Sequence, residues 1–509
     1  MKNLKKKQLL NRALSYHKNG EIDAANDIYL KILENDSNDF DANHLHALVL
    51  SQKSNYIESI DYFSKAYTQG PVTCELLNNF AIAYRNLKVF SECEKLLLEA
   101  LALDKKFINT YKNLANCFLS QNKDDDALEV LETALHLNID KTKFIHKIIE
   151  VLFTKINDNA SSINNKKYEK YANLLSKDTH HANKALSGLC YLHLNKIEKS
   201  LKLFKDAESL VSGGLPAINT LKELKNKEIL NTMIKHEYEQ ITHIDSDIDG
   251  IRNVKITQNF YDTLKTLYNR KELVFSDDEY DFISSLHKIR YNKAPQPRSK
   301  YLNGNINIEL YEKIYKKADP QIVIIDDFLD ETYLNDLRKF FRCANIFKYP
   351  YPAGYIGAFL GKGMANKAIL ELSKELKETF PKIFSSYNLS QAWAFKYDSK
   401  QKGISIHADD AKINVNFWIT DDSANLNKET GGLIIWSKKP SLDTKFSDFN
   451  SLSSIPKMEE EVKKTDSIRI PYRANRAVVF NSKLYHATDN IDFKDDYINR
   501  RINVTFLYK

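Results

Sequence analysis

Three side chains in the last quarter of the chain have the types and spacing to share a metal ion. His407-Ala408-Asp409 sets an imidazole and a carboxylate two residues apart. In extended backbone successive side chains alternate sides, so both fall on one face. His486 follows an apolar run, Arg476–Ser482 (RAVVFNS), and offers a third donor. Two imidazoles and a carboxylate on one face of a metal, with its other positions open, suit a non-haem iron centre. A second such pair, His243-Ile244-Asp245, lies in a polar helical or loop stretch. With 13 histidines in the chain, about one His-x-Asp arises by chance, so context has to separate the two. Taken singly, His486 also reads as a hydrogen-bonded turn histidine. Asp410 has the wrong parity for a ligand.

The context is a series of short strands. From Pro320 the chain reads Gln321–Ile325 (QIVII), then a helix over Glu331–Arg342. Strands are expected at Ala392–Tyr397, Ile404–His407, Ile413–Thr420, Gly432–Trp436, Ser467–Pro471, Ala477–Phe480 and Ile502–Tyr508. Many short strands with Gly and Asp turns suggest a double-stranded β-helix, or jelly roll, with flanking helices. Gly431-Gly432 suits a close backbone approach. On the last strand Arg501 and Asn503 share a face, and Arg500 takes the opposite one.

The order His-x-Asp, strand, Gly-Gly, strand, His, then Arg on the final strand resembles the 2-oxoglutarate/Fe(II)-dependent oxygenase superfamily. The prolyl-hydroxylase-like branch is nearest, because Val323–Leu329 (VIIDDFL) resembles its start. The resemblance covers about residues 320–509. It implies that His407, Asp409 and His486 are the iron ligands and the catalytic centre. It implies that Arg501, with Asn503, binds the distal carboxylate of 2-oxoglutarate. A planar guanidinium suits that bidentate contact, and Arg500 is the second choice. The bland alternative for Arg501 is a surface ion pair with Asp495 or Asp496. Tyr397 matches a co-substrate tyrosine, and Asn414 or Asn416 would line the pocket. Where that branch often carries Lys, this chain has Asp496 and other polar residues. The cofactors implied are Fe(II), 2-oxoglutarate and O2, with ascorbate as an optional addition. The activity implied is hydroxylation by a 2-oxoglutarate-dependent dioxygenase, an oxidoreductase.

The N-terminal part is periodic. Ile22, Ala25, Tyr29 and Ile32 recur 34 residues on as Tyr56, Ser59, Phe63 and Ala66. They recur again as Phe90, Cys93, Leu97 and Ala100, and as Asp124, Ala127, Leu131 and Ala134, with Asp124 the one break. A second track runs through Ala47, Ala81 and Ala115, with Leu50, Tyr84 and Phe118 three residues later. Each unit therefore holds two helices whose small residues permit close approach. The period and these positions resemble the tetratricopeptide repeat over about residues 8–140. Asn157–Lys166 interrupts it. A further unit returns at Ile197, Ser200, Phe204 and Ala207, with its first helix around His181–Leu194, and Gly213, Gly214 and Pro216 close the array. Arrays of this kind commonly bind a peptide or protein segment.

These readings give a multidomain chain. Residues 1–215 are expected to form an all-α repeat solenoid, 216–318 a helical connecting region, and 319–509 the oxygenase domain. In the connecting region Leu221–Glu239 and Ile256–Arg270 have helical spacing, and Ala294–Lys300 (APQPRSK) reads as a linker. Lys348–Asn366 carries four glycines among aromatic residues, which reads as a lid over substrate or as an ordinary packed loop. The insert Ser437–Asp466 is polar and could face substrate. The chain has 509 residues and a net charge of +7, too small an excess at this length to imply nucleic-acid binding. No run approaches the ~18 apolar residues of a membrane span. Five scattered cysteines without a CxxC pair suggest a reducing cytoplasm. The expected function is hydroxylation of a peptide or protein substrate presented by the array. An oxygenase for a small molecule or glycan, with the array used for localisation, and a non-enzymatic scaffold with an inactive β domain are the alternatives.

Overall fold

The computed structural model describes residues 2–137, 148, 151, 165–177, 179–213, 218–224, 227–246, 256–401, 403–441 and 449–509. Of the expected loop Asn157–Lys166, residues 157–164 lie outside these, as do Gly214 and Pro216, while Asn165 and Lys166 open helix Asn165–Ser176. The chain divides into two compact units, Met1–Leu152 and Phe153–Lys509.

The first unit is a stack of helix pairs: α1 (Lys2–Lys18) with α2 (Ile22–Asn35), α3 (Phe40–Gln52) with α4 (Tyr56–Gln69), α5 (Cys74–Asn86) with α6 (Phe90–Leu103), and α7 (Ile108–Ser120) with α8 (Asp124–His136). The second helices begin at Ile22, Tyr56, Phe90 and Asp124, which is the 34-residue period of the sequence. The turns keep the same register. Gly20, Ser54, Lys88 and Asn122 all have positive φ, between 58° and 83°. The small column Ala25, Ser59, Cys93, Ala127 and the large column Tyr29, Phe63, Leu97, Leu131 are buried throughout. Small residues bring the paired helices together while the large ones fill the space between repeats. Asp124 is tolerated because it opens α8, where a negative charge favours the helix N-terminus.

The second unit is built on a seven-stranded antiparallel sheet in the order β1 (Ile322–Ile325), β9 (Ala477–Asn481), β6 (Ile413–Trp418), β12 (Ile502–Tyr508), β4 (Leu389–Tyr397), β3 (Tyr355–Phe359), β2 (Tyr349–Tyr351). A three-stranded sheet has the order β10 (His486–Thr488), β7 (Leu433–Trp436), β8 (Ser467–Ile470), and β5 (Lys400–Gln401) pairs with β11 (Ile491–Asp492). Strand parity divides the residues between two cores. Val415, Phe417, Val504 and Phe506 join a helical layer that includes Leu337 and Phe340 of helix Glu331–Cys343 and Ile369 and Leu376 of helix Lys367–Thr379. On the other face Tyr397, Trp418, Val478 and Phe480 share a core with Leu433, Ile435 and Ile470 of the smaller sheet.

The returning helix pair, His181–His193 and Ile197–Gly213, belongs to this second unit. Phe204 is part of the helical-layer core, with Leu189, Leu192 and Leu201 packed against it. Asn195, at φ 59°, repeats the turn of the N-terminal pairs. Helix Glu228–Ser246, from the stretch expected to connect, is anchored on the β unit by polar groups. Glu237 meets Lys348 at 2.8 Å, and Gln240 donates to the carbonyls of Arg342 and Ala344. The Gly-rich segment after Lys348 forms β2 and β3 at the edge of the large sheet.

Candidate functional site

His407, Asp409 and His486 converge, with one ligand atom from each lying within 4.8 Å of the others. The strand expected at Ile404–His407 does not form. A single antiparallel bridge joins His407 to His486 instead: the His407 N–H donates to the His486 carbonyl at 3.0 Å, and the His486 N–H returns to the His407 carbonyl at 2.8 Å. This reciprocal pair, characteristic of directly opposed residues, sets the two imidazoles side by side, with ring centroids 4.3 Å apart.

Each imidazole is also held at its other nitrogen. Nδ1 of His407 lies 2.8 Å from the Ser405 carbonyl, and Nδ1 of His486 lies 2.8 Å from the Leu484 carbonyl. A carbonyl only accepts, so both Nδ1 atoms carry the proton and both Nε2 atoms keep a lone pair. Those Nε2 atoms face Asp409, at 3.9 Å for His407 and 3.4 Å for His486. Burial, and then the neighbouring His486, push the His407 imidazolium pKa down to about 4. Burial alone would raise the Asp409 carboxyl. The nearness of His486 and then His407, with the hydrogen bond from Asn414, outweighs it, and the group stays below its ordinary value. A neutral imidazole beside a carboxylate, with outer nitrogens tied to carbonyls, is a donor set ready for a cation. Asn414 completes the support by donating to Asp409 Oδ2 at 3.0 Å. Asp410 turns away to Lys509. The other His-x-Asp pair lies on helix Glu228–Ser246, where His243 packs on Tyr497.

Arg501, Asn503, Tyr397, Asn414 and Asn416 line the same cavity as the two histidines and Asp409. Arg501 is 1% exposed, and among the described residues no carboxylate lies within ion-pair distance of it. Its Nε donates to the Gly431 carbonyl at 2.6 Å and its Nη1 to Asn503 Oδ1 at 3.2 Å. The guanidinium carbon sits 4.8 Å from the Tyr397 ring centre and about 6 Å from those of Trp418 and Tyr472. Burial lowers its pKa, and a buried cation in an aromatic cage without an anion is costly. Asn414 Oδ1, Asn416 Oδ1 and the Tyr397 hydroxyl are also buried and unpaired. Tyr397 lies near Arg501 and Thr488 without hydrogen-bond geometry to either. The cavity thus holds a cation and several polar atoms that the protein itself leaves unsatisfied.

Arg500, one residue away, takes the other side of the strand. It meets Glu239 of helix Glu228–Ser246 at 2.5 Å and also pairs with Asp398. The glycine pair earns its place by contact. Gly431 has φ +84°, and a Cβ on Gly432 would lie 1.9 Å from the Ile470 carbonyl oxygen. Two supports carried no readable signal in the sequence. The insert after Trp436 supplies Phe449, Met458 and Val462, which pack with Ile406 and Ala408, and Asn450 donates to the Ala408 carbonyl at 2.8 Å. Lys396, 1% exposed, donates to Tyr497 Oη at 2.7 Å and to the Phe341 carbonyl at 2.9 Å, with His236 beside it.

No family model matches this chain, and no curated protein matches it. Solved structures similar to it include MamA, at 16% identity over 39% of this chain and 93% of that one, with a TM-score of 0.26. YrrB, described as a TPR protein with an unusual peptide-binding site, is similar at 18% identity over 40% of this chain and 84% of its own, with a TM-score of 0.25. PilF of Pseudomonas aeruginosa is similar at 19% identity over 41% and 93%, with a TM-score of 0.31. The chain combines a helical unit of pairs repeating every 34 residues with an antiparallel β unit that carries the His–Asp–His cluster. None of the five cysteines forms a disulfide, and all are buried. Among the described residues no helix is long and apolar enough to cross a membrane.

Proposed function

We propose that the second unit is a double-stranded β-helix that works as an Fe(II)- and 2-oxoglutarate-dependent dioxygenase and hydroxylates a peptide or protein substrate. One observation carries this reading: a buried, unpaired guanidinium shares a cavity with two imidazoles and a carboxylate whose donor atoms converge. The donors fit iron, since imidazole and carboxylate suit it and a three-residue set leaves positions open. His407 and His486 would bind through Nε2, and Asp409 through one oxygen while Asn414 holds the other. The cation and open polar atoms of the cavity lining also suit a dicarboxylate. Arg501 would take the distal carboxylate, oriented by Gly431 and Asn503, and the Tyr397 hydroxyl would donate to it. When bound, iron, 2-oxoglutarate and O2 supply oxidative decarboxylation to succinate and CO2, coupled to hydroxylation of a C–H bond. The aromatic walls around Arg501 exclude water and strengthen its charge contact.

Peptide or protein substrates are favoured because repeat arrays bind extended segments along their stacked helices. The test is succinate release from 2-oxoglutarate by the full chain with Fe(II), together with mass spectrometry of extract proteins for gain of one oxygen. Succinate release that Arg501→Ala abolishes supports the reading. No release above a metal-free control, with no oxygenated protein, overturns it.

A further inference from the structure

A cavity of about 370 Å³ lies between the turn after helix His181–His193, helix Lys367–Thr379 and the paired ends of β4 and β12. Leu389 and Tyr508 pair at this end of the strands, whereas Arg501 precedes Ile502, which pairs with Lys396 at the other. Leu389 and Tyr508 belong to the helical-layer core, and no residue lining this cavity lines the one shared by Arg501, Asp409 and the two histidines, so this is a separate site. Its volume falls in the range of small-molecule pockets and far exceeds the space of one water or ion.

The charge inside is unbalanced. Lys374 and Lys377 both line the cavity, with Glu378 the one acidic residue. Glu378 lies 3.5 Å from Lys374, which leaves Lys377 without a carboxylate among the described residues. The Lys377 ammonium donates instead to the neutral Asn388 Oδ1 at 2.7 Å. Burial pulls its pKa down, and burial followed by the Lys377 charge does the same to His193 on the opposite wall. Leu192, Leu389 and the Tyr508 ring supply apolar surface beside these groups. A half-buried cation with a neutral partner gains from a counter-charge that the protein does not provide.

We propose that this cavity binds a small organic anion, with its carboxylate or phosphate head on Lys377 and its body against Leu192, Leu389 and Tyr508. The ligand bridges the helix pair 181–213 and the central strands of the sheet. The proposal is independent of the iron centre.

The test is calorimetric titration of the full chain with two probes, benzoate and phenyl phosphate, which carry either head on the same ring. Saturable one-site binding of at least one is expected, and the preferred probe names the head group. Lys377→Gln should weaken it by about tenfold or more, as for loss of a charged hydrogen bond. Lys377→Arg, Lys374→Gln and Arg501→Ala should keep it, which separates a folding defect, general surface charge and the other cavity from the site proposed. The inference is overturned if neither probe binds saturably, if Lys377→Gln binds as well as wild type, if Lys374→Gln loses as much, or if Arg501→Ala abolishes binding.

Discussion

Gly432→Ala probes how the two sheets hold Arg501. The added Cβ would sit 1.9 Å from the Ile470 carbonyl oxygen and 2.9 Å from the Pro471 carbonyl carbon. Both are backbone atoms, so no side chain can rotate away. An ordinary C···O contact is about 3.3–3.6 Å, and β7 must therefore part from β8 by more than about 1 Å. Leu433 pairs with Ile470 directly beside the clash. Overpacking of this kind costs roughly 1–3 kcal/mol, and a disrupted ladder hydrogen bond adds about 1 kcal/mol. At about 2 °C per kcal/mol for a large unit, the second unit's Tm should fall by roughly 4–8 °C. The displacement also moves the Gly431 carbonyl, which accepts from Arg501 at 2.6 Å, so 2-oxoglutarate affinity should drop by about tenfold. Gly304→Ala is the control, since nothing lies within 4 Å of its added Cβ. Differential scanning calorimetry reads the first effect and isothermal titration the second. A Gly432→Ala protein that melts with wild type would refute the close approach and the reasoning built on it.

Arg501→Ala should weaken 2-oxoglutarate binding by about a hundredfold, while Arg500→Ala should lower Tm through the stranded Glu239 and leave the affinity of the folded protein nearly unchanged. Equal losses of affinity would show that the strand faces are assigned wrongly. A pH effect is expected at Glu279, whose carboxyl the Arg270 hydrogen bond holds down at about 2, against an ordinary 4.5. A depressed acid stabilises fully above its unfolded pKa and loses that stabilisation as pH falls toward the folded one. The stability gap between wild type and Glu279→Gln should therefore narrow from pH 4.5 to 2. It should be modest, since the side chain is 24% exposed, and a gap that widens on acidification would contradict the assignment. Deleting residues 1–152 should leave the second unit folded, whereas deleting 1–213 removes Phe204 from its core and should lower its Tm or solubility. If the array presents the substrate, the shorter deletion keeps uncoupled succinate release and raises the KM of coupled hydroxylation. Unchanged KM would favour a small-molecule substrate.

The parts legible in the sequence are those where one residue's environment follows from its neighbours' spacing. The 34-residue columns read correctly because a stacked helix pair needs small residues at fixed positions. The final strand read correctly because parity alone sends Arg501 and Arg500 to opposite faces. The His-x-Asp pair was visible, but the local structure was not: a bridge between His407 and His486 depends on two segments almost 80 residues apart. Helix Glu228–Ser246 looked like a connector because its anchors, His236, Glu237, Glu239 and Gln240, are polar and resemble a solvated face. Their partners, Lys396, Lys348, Arg500 and the Arg342 carbonyl, lie about a hundred residues or more away. The glycine and aromatic residues around Gly357 read equally as a lid or as an ordinary packed loop. Their alternation serves an edge hairpin, in which a Cβ on Gly357 would meet Phe395 at 2.9 Å.

Anaerobic titration with Fe(II), in the presence and absence of 2-oxoglutarate, tests the central claim most directly. The arrangement of His407, Asp409, His486 and Arg501 predicts one Fe(II) per chain, with tighter 2-oxoglutarate binding to the metal-loaded protein. In the His407→Ala, Asp409→Ala double variant both effects should disappear while the fold remains. A wild-type chain that binds no Fe(II), or a double variant that binds it with unchanged affinity, would contradict the account.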